Sequence, residues 1–139
     1  MVVQYGSQSL SIYKEGGAIC WSQKYWSFVS LEPLSEVLSP DGAKLRLTRS
    51  SWKHITTEHP EMRPYLARIL KAAQSPDLIA MGAKGELKAI KWFEDLHVGP
   101  KYIVAVYRKT DVKEGFIVTA YVTSDLRRTC KRGVLWRKS

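Results

Sequence analysis

Residues 101–124 read KYIVAVYRKTDVKEGFIVTAYVTS. Two runs rich in β-branched and aromatic residues flank a short polar turn, the pattern of a pair of antiparallel strands. In the second run, Phe116, Val118, Ala120 and Val122 point one way, because side chains alternate along a strand. Ile117, Thr119, Tyr121 and Thr123 point the other way. The first set predicts a buried face and the second a solvent-open one. In the first run, Tyr102, Val104, Val106 and Arg108 share one face, and Lys101, Ile103, Ala105, Tyr107 and Lys109 the other. Alternation alone leaves open which of these faces is outside.

Upstream, residues 77–81 and 86–93 also read as strands. Their connections are short and contain no helix, so the four runs predict an antiparallel meander. Before them come two helical segments. SWKHITTE, residues 51–58, follows the candidate N-caps Ser50 and Ser51 and is stopped by Pro60. A second helix is predicted from about Met62, with Pro64 in its first turn, where no amide hydrogen is needed. Leu66, Ile69, Leu70 and Ala73 form its apolar stripe, and Ser75-Pro76 ends it. The expected fold class is α+β, with two N-terminal helices packed on a four-stranded antiparallel sheet over residues 43–125. Residues 1–42 read as a β-rich extension. In it, SLSIYK and AICWSQ flank hairpin-turn chemistry at Lys14 to Gly17, YWSFVSL could form a third strand, and residues 31–42 suggest a short helix or turn.

The chain has 139 residues, 45% of them hydrophobic, with five Trp and seven Tyr. That is one domain's worth, and too apolar for a disordered chain. No apolar run approaches the ~20 residues that span a bilayer. The first ten residues lack the basic-then-apolar pattern of a secretory signal, so a cytoplasmic location is expected. Two cysteines, Cys20 and Cys130, build neither a disulfide framework nor a four-cysteine zinc site. No metal or other cofactor is expected. Net charge is +9, and residues 126–139 hold Arg127, Arg128, Lys131, Arg132, Arg137 and Lys138 without one acid. This basic C-terminal tail is either a solvated end or an arm that attracts a polyanion. Trp136 lies within it, and an indole beside cations can stack on a base.

The face bearing Thr119, Tyr121 and Thr123 combines hydroxyls with an aromatic ring. One of Lys88 and Lys91, which are three apart and point to opposite sides, should join it, as should one of Arg108 and Lys109. Such a surface suits a phosphodiester with exposed bases. His54 and Glu58 are four apart on the first helix, so the carboxylate can orient the imidazole. His59 sits directly before Pro60, and the helix break sets its direction. A ring capping a helix or bonded to a carbonyl is the plainer reading of either histidine. His97, in the 94–100 loop, is a weaker candidate.

In order, the chain has a helix with His-Ile-x-x-x-His-Pro-Glu at 54–61, a second helix ending in Ser-Pro-Asp at 75–77, and a meander ending in Thr-Ala-Tyr-Val-Thr-Ser at 119–124. Over about residues 45–125 this set resembles the barnase–EndoU–colicin–RelE-like superfamily of nucleases, especially its phage-associated branches. The resemblance implies a metal-independent RNA endonuclease in which the ribose 2′-hydroxyl attacks the adjacent phosphate. It maps the helix histidine to His54 or His59, the strand hydroxyl to Thr119 or Thr123, and the basic residue to Lys88, Lys91 or Arg108. Lys91, Lys109, Tyr121, Arg127 and Arg128 would bind the substrate. RNA is the expected partner, together with an acidic antidote or immunity protein if the enzyme is a toxin.

Cleavage needs a base for the 2′-hydroxyl, an acid for the leaving 5′-oxygen and positive charge for the phosphorane. Histidine as a residue type serves either proton-transfer role near neutrality, and Arg or Lys can hold the nonbridging oxygens. Two other classes fit the same sequence. A noncatalytic nucleic-acid-binding domain explains the charge and aromatics but not two histidines beside a helix break. An interaction protein would use the sheet face to meet an acidic partner.

Overall fold

The computed structural model describes residues 33–139. The three strands expected within residues 9–31 lie outside the described residues. The remainder forms a seven-stranded mixed sheet rather than a four-stranded antiparallel one. In chain order its elements are β1 (Pro33–Leu38), β2 (Lys44–Thr48), α1 (Arg49–Glu58), a 3-10 helix (Pro60–Tyr65), α2 (Leu66–Gln74), β3 (Leu78–Met81), β4 (Leu87–Phe93), β5 (Lys101–Asp111), β6 (Glu114–Thr123), α3 (Leu126–Thr129) and β7 (Val134–Arg137). Across the sheet the order is β1-β2-β6-β5-β4-β3-β7.

The β3–β6 meander forms the middle of the sheet, antiparallel throughout. Three further strands extend it: β2, which the alternation of Lys44 to Thr48 predicts as a short strand, and β1 and β7, which correct expectations. Residues 33–38, read as part of a short helix or turn, form β1, which pairs antiparallel with β2. β2 lies parallel to β6 through Lys44–Glu114, Leu45–Gly115 and Arg46–Phe116. This makes the sheet mixed: the chain leaves β2 through the helices and returns after the meander in the same direction. At the far edge, β7 pairs antiparallel with β3, so the basic segment 126–139 is built into the fold.

The helices begin earlier and more tightly than the residue pattern suggests. Thr48, not Ser50 or Ser51, caps α1, its hydroxyl accepting from the Ser51 amide at 3.1 Å. Around Pro60 and Pro64 the chain winds as a 3-10 helix before α2. Proline at both positions removes the amide donors that a continuous α-helix needs.

One irregularity redirects side chains. Val106 pairs with Thr119 but Tyr107 with Ile117, which leaves Val118 as the extra residue of a β-bulge. Alternation therefore restarts there. Ile117, Ala120 and Val122 face the helices, and Phe116 and Val118 turn to the opposite face, contrary to the unbroken alternation of the sequence. The main core joins Leu45, Leu47, Ile103 and Ile117 with Ile55, Met62 and Ile69, all without solvent exposure.

The opposite face is not simply open. Leu78, Ala80, Ile90, Val104 and Val106 form a second core, with Leu126, Cys130 and Val134 of the C-terminal segment packed against it. Thr119, Tyr121 and Thr123 are half-buried there. No helix among the described residues is long and apolar enough to cross a membrane.

Candidate functional site: a basic cleft beneath the C-terminal helix

Where α3 crosses the second face, it leaves a cleft of about 550 Å³ beside the end of β6. Lys88, Tyr121, Thr123, Arg128, Lys131 and Arg132 line it. Glu86 and Asp125 also reach its wall. Both acids are engaged locally. Asp125 caps α3, its carboxylate accepting from the Arg128 amide at 2.9 Å, while its own amide donates to the Thr123 hydroxyl at 3.0 Å. Glu86 accepts from the Lys84 amide at 2.8 Å and lies 3.8 Å from the Arg108 guanidinium. Hydrogen bonds from its own amide and from the Lys84 amide, with Arg108 and Lys88 nearby, hold its carboxyl below the ordinary range. With the acids so occupied, the cationic rim is available to an anion.

The cross-strand register decides which cations belong here. Lys88 pairs with Val106, which pairs with Thr119, so all three share the cleft's face. The Lys88 ammonium donates to the Thr129 carbonyl at 3.3 Å, which ties β4 to α3. Arg108 shares the face but bonds the Lys84 carbonyl at 3.1 Å and does not line the cleft. Lys91 lies on the helix-facing side, 3.7 Å from Asp77. Lys109 bonds Asp41 at 2.6 Å. Thr119 stays against Val106, and Arg127 points to solvent outside the cleft lining. Trp136 pairs with Ile79, whose other neighbour is Ala89 of the main core, so its indole is on the side away from the cleft.

The two helix histidines part company. His54 is exposed on α1, with no contact to the cleft among the described residues. His59 caps the C-terminus of α1, its amide donating to the Ile55 carbonyl at 2.7 Å and its carbonyl accepting from the Met62 amide at 2.9 Å. Held by these bonds and by Pro60, its ring reaches the edge of β6. There it lies 5.9 Å from the Tyr121 ring, centroid to centroid. Its Nδ1 is 3.7 Å from the carboxylate of Glu61, the last residue of the 54–61 motif, to which the residue pattern gave no role. His97 stacks on Tyr65, away from the cleft, and its amide donates to the Tyr65 phenol at 2.6 Å.

Burial pushes the Tyr121 phenol above its ordinary pKa, opposed by a hydrogen bond with the Thr129 side chain. The phenol is therefore a proton-bearing group at neutral pH. Burial also raises the Cys130 thiol, against the influence of Arg137 and Lys88. Among the described residues, no cluster of three His, Cys, Asp or Glu side chains is placed to hold a metal ion.

Thr129, Asp125 and Glu61 are the site residues missed from sequence. The signal for the first two was local: Thr123-Ser-Asp125 ahead of Leu126 is N-cap chemistry. No family model matches the chain, and neither does any curated protein or solved structure.

Proposed function

We propose that the protein is an RNA endonuclease of the metal-independent, 2′-hydroxyl-attack type, with His59 as its proton-transfer histidine. The observation that carries this reading is the His59 ring 5.9 Å from the ring of Tyr121, which lines the cationic cleft. The Glu61 carboxylate lies 3.7 Å from Nδ1, beyond hydrogen-bond reach, and we assign proton transfer to Nε2, the other ring nitrogen. Lys88 and Arg128 would hold the nonbridging oxygens of the scissile phosphate, and Thr123 would position it. In the step, His59 takes the proton of the 2′-hydroxyl. The 2′-oxygen then bonds to phosphorus and the 5′-oxygen leaves with a proton. Tyr121, which lines the cleft beside His59 and stays protonated, would supply that proton. The products are a 2′,3′-cyclic phosphate and a 5′-hydroxyl. A toxin-type or mobile-element role, with an acidic antidote, belongs to the same reading.

The test sets His59→Ala against His54→Ala in cleavage of mixed cellular RNA. The reading requires the first to lose activity and the second to keep it. Equal activities would remove His59 from the mechanism. RNA binding with no cleavage by the wild type would favour the noncatalytic nucleic-acid-binding domain.

A further inference from the structure

Beyond the cleft, the same face of the sheet carries an aromatic ledge with no part in the chemistry above. Trp92 on β4 pairs with Tyr102 on β5, and Tyr102 pairs with Thr123 on β6. Directly paired residues project from the same face, so the three side chains form one row across three strands. Thr123 is at the cleft. Trp92 is two strands away, about 10 Å at the usual inter-strand spacing.

The two rings meet edge to face, 4.8 Å apart at 68°. The Trp92 indole Nε1 donates to the Glu94 carboxylate at 2.6 Å, and the Trp92 amide donates to Asp77 at 2.8 Å. The indole is thus held by its contact with Tyr102 and its bond to Glu94, and the backbone beneath it by Asp77, yet the residue remains 37% exposed. A large aromatic two strands from a cationic cleft, on the same face of the sheet, fixed in orientation and open to solvent, is already ordered for stacking. Binding there does not have to freeze it first.

We propose that Trp92, supported by Tyr102, is a base-stacking subsite for single-stranded RNA. It would receive the base of a nucleotide neighbouring the phosphate held at Thr123 and Arg128. The inference rests on the reading of the cleft as an RNA site. Charge complementarity selects the occupant: the row runs from Thr123 in the cation-lined cleft to an indole whose Nε1 already engages the Glu94 carboxylate, so a ligand spanning it places its anion at Thr123 and Arg128 and a planar face on Trp92. Every base has such a face, so the subsite tolerates any base sequence. It cannot use a duplex, whose bases are stacked on one another and offer no free face.

The experiment measures the Kd of the full-length protein for a short single-stranded RNA and for an abasic ribose-phosphate chain of equal length. Wild type, Trp92→Ala, Trp92→Phe and Arg128→Ala are compared. The expected result is that Trp92→Ala weakens RNA binding about five- to one-hundred-fold, the range for loss of one stacked base. The same variant should leave the abasic chain's affinity unchanged, and Trp92→Phe should recover most of the loss. Arg128→Ala should weaken both ligands. Equal wild-type affinity for the two ligands would overturn the subsite without reference to any variant. So would an unchanged Trp92→Ala, while loss in Arg128→Ala would leave the cleft reading standing. No binding of either ligand by the wild type would overturn both.

Discussion

The His59 imidazole and the Tyr121 phenol ring lie 5.9 Å apart at an interplanar angle of 38°. They come from opposite ends of the fold's logic. His59 belongs to a helix packed on the main core, whereas Tyr121 belongs to the second face of the sheet. They meet because β2 pairs with β6 only as far as Phe116, and α1, which follows β2 directly, packs against β6. The short parallel ladder is therefore what brings a helix histidine to Tyr121.

Loss of that histidine should be costly. In His59→Ala the rate of RNA cleavage should fall ~10²–10⁴-fold, the usual contribution of acid–base catalysis. RNA affinity should change little, so the loss should appear in kcat rather than KM. Initial rates at saturating RNA measure this.

Point substitutions in the cleft should report on phosphate contacts. The segment 126–139 supplies an edge strand, so its deletion would damage the sheet as well as the charge. Arg128→Ala and Lys88→Ala avoid that confusion. Each should lower the slope of log Kd against log salt by about 0.7, the value for one single-strand phosphate contact. Arg127→Ala, outside the cleft lining, should leave the slope as it is.

How much of this was legible in the sequence follows from the kind of information each feature needs. The four strands of the meander show themselves through alternation and short turns. The edge strands do not. Ser35-Glu36-Val37 reads as a turn until Leu45 and Leu47 offer a partner, and Val134–Arg137 carries two charges within its immediate neighbourhood. The bulge at Val118 needs the partner strand, because only the pairing of Val106 with Thr119 and Tyr107 with Ile117 reveals an extra residue. The choice of Lys88 over Lys91 is likewise a matter of register. Selecting His59 over His54 required the course of α1 past β6, a long-range relation that no local spacing encodes.

Acid should weaken the fold through Asp41. Hydrogen bonding to Lys109, then to Ser39, lowers its pKa from the model-compound 3.8 to about 2. A carboxyl depressed in the folded state stabilises above its unfolded pKa, and that stabilisation is lost as pH falls through the folded value. The contribution is complete above about pH 4 and disappears toward pH 2. Asp41 is exposed, so the effect is modest and screened by salt. Asp41→Asn should flatten the stability curve across that window, measured by denaturant unfolding at successive pH values.

Gly115 sits where β2 meets β6, and a side chain there has no room. An added Cβ would lie 2.8 Å from the Arg108 carbonyl oxygen and 3.1 Å from the buried Leu45 side chain. Gly115→Ala should destabilise the protein by ~1–3 kcal/mol, the usual cost of overpacking. The β5–β6 pairing at Arg108 is the part that must shift, with Leu45 of β2 giving way beside it, so RNA cleavage should fall along with thermal stability. Unchanged stability would show that the backbone at Arg108 yields easily.

The most direct measurement is the chemistry of the new 3′ ends when the protein is incubated with mixed cellular RNA in chelator. Attack by the 2′-hydroxyl predicts 2′,3′-cyclic phosphates, formed equally with and without chelator and suppressed in His59→Ala. New ends bearing a 3′-hydroxyl, cleavage abolished by chelator, or no cleavage by the folded wild type would contradict the account.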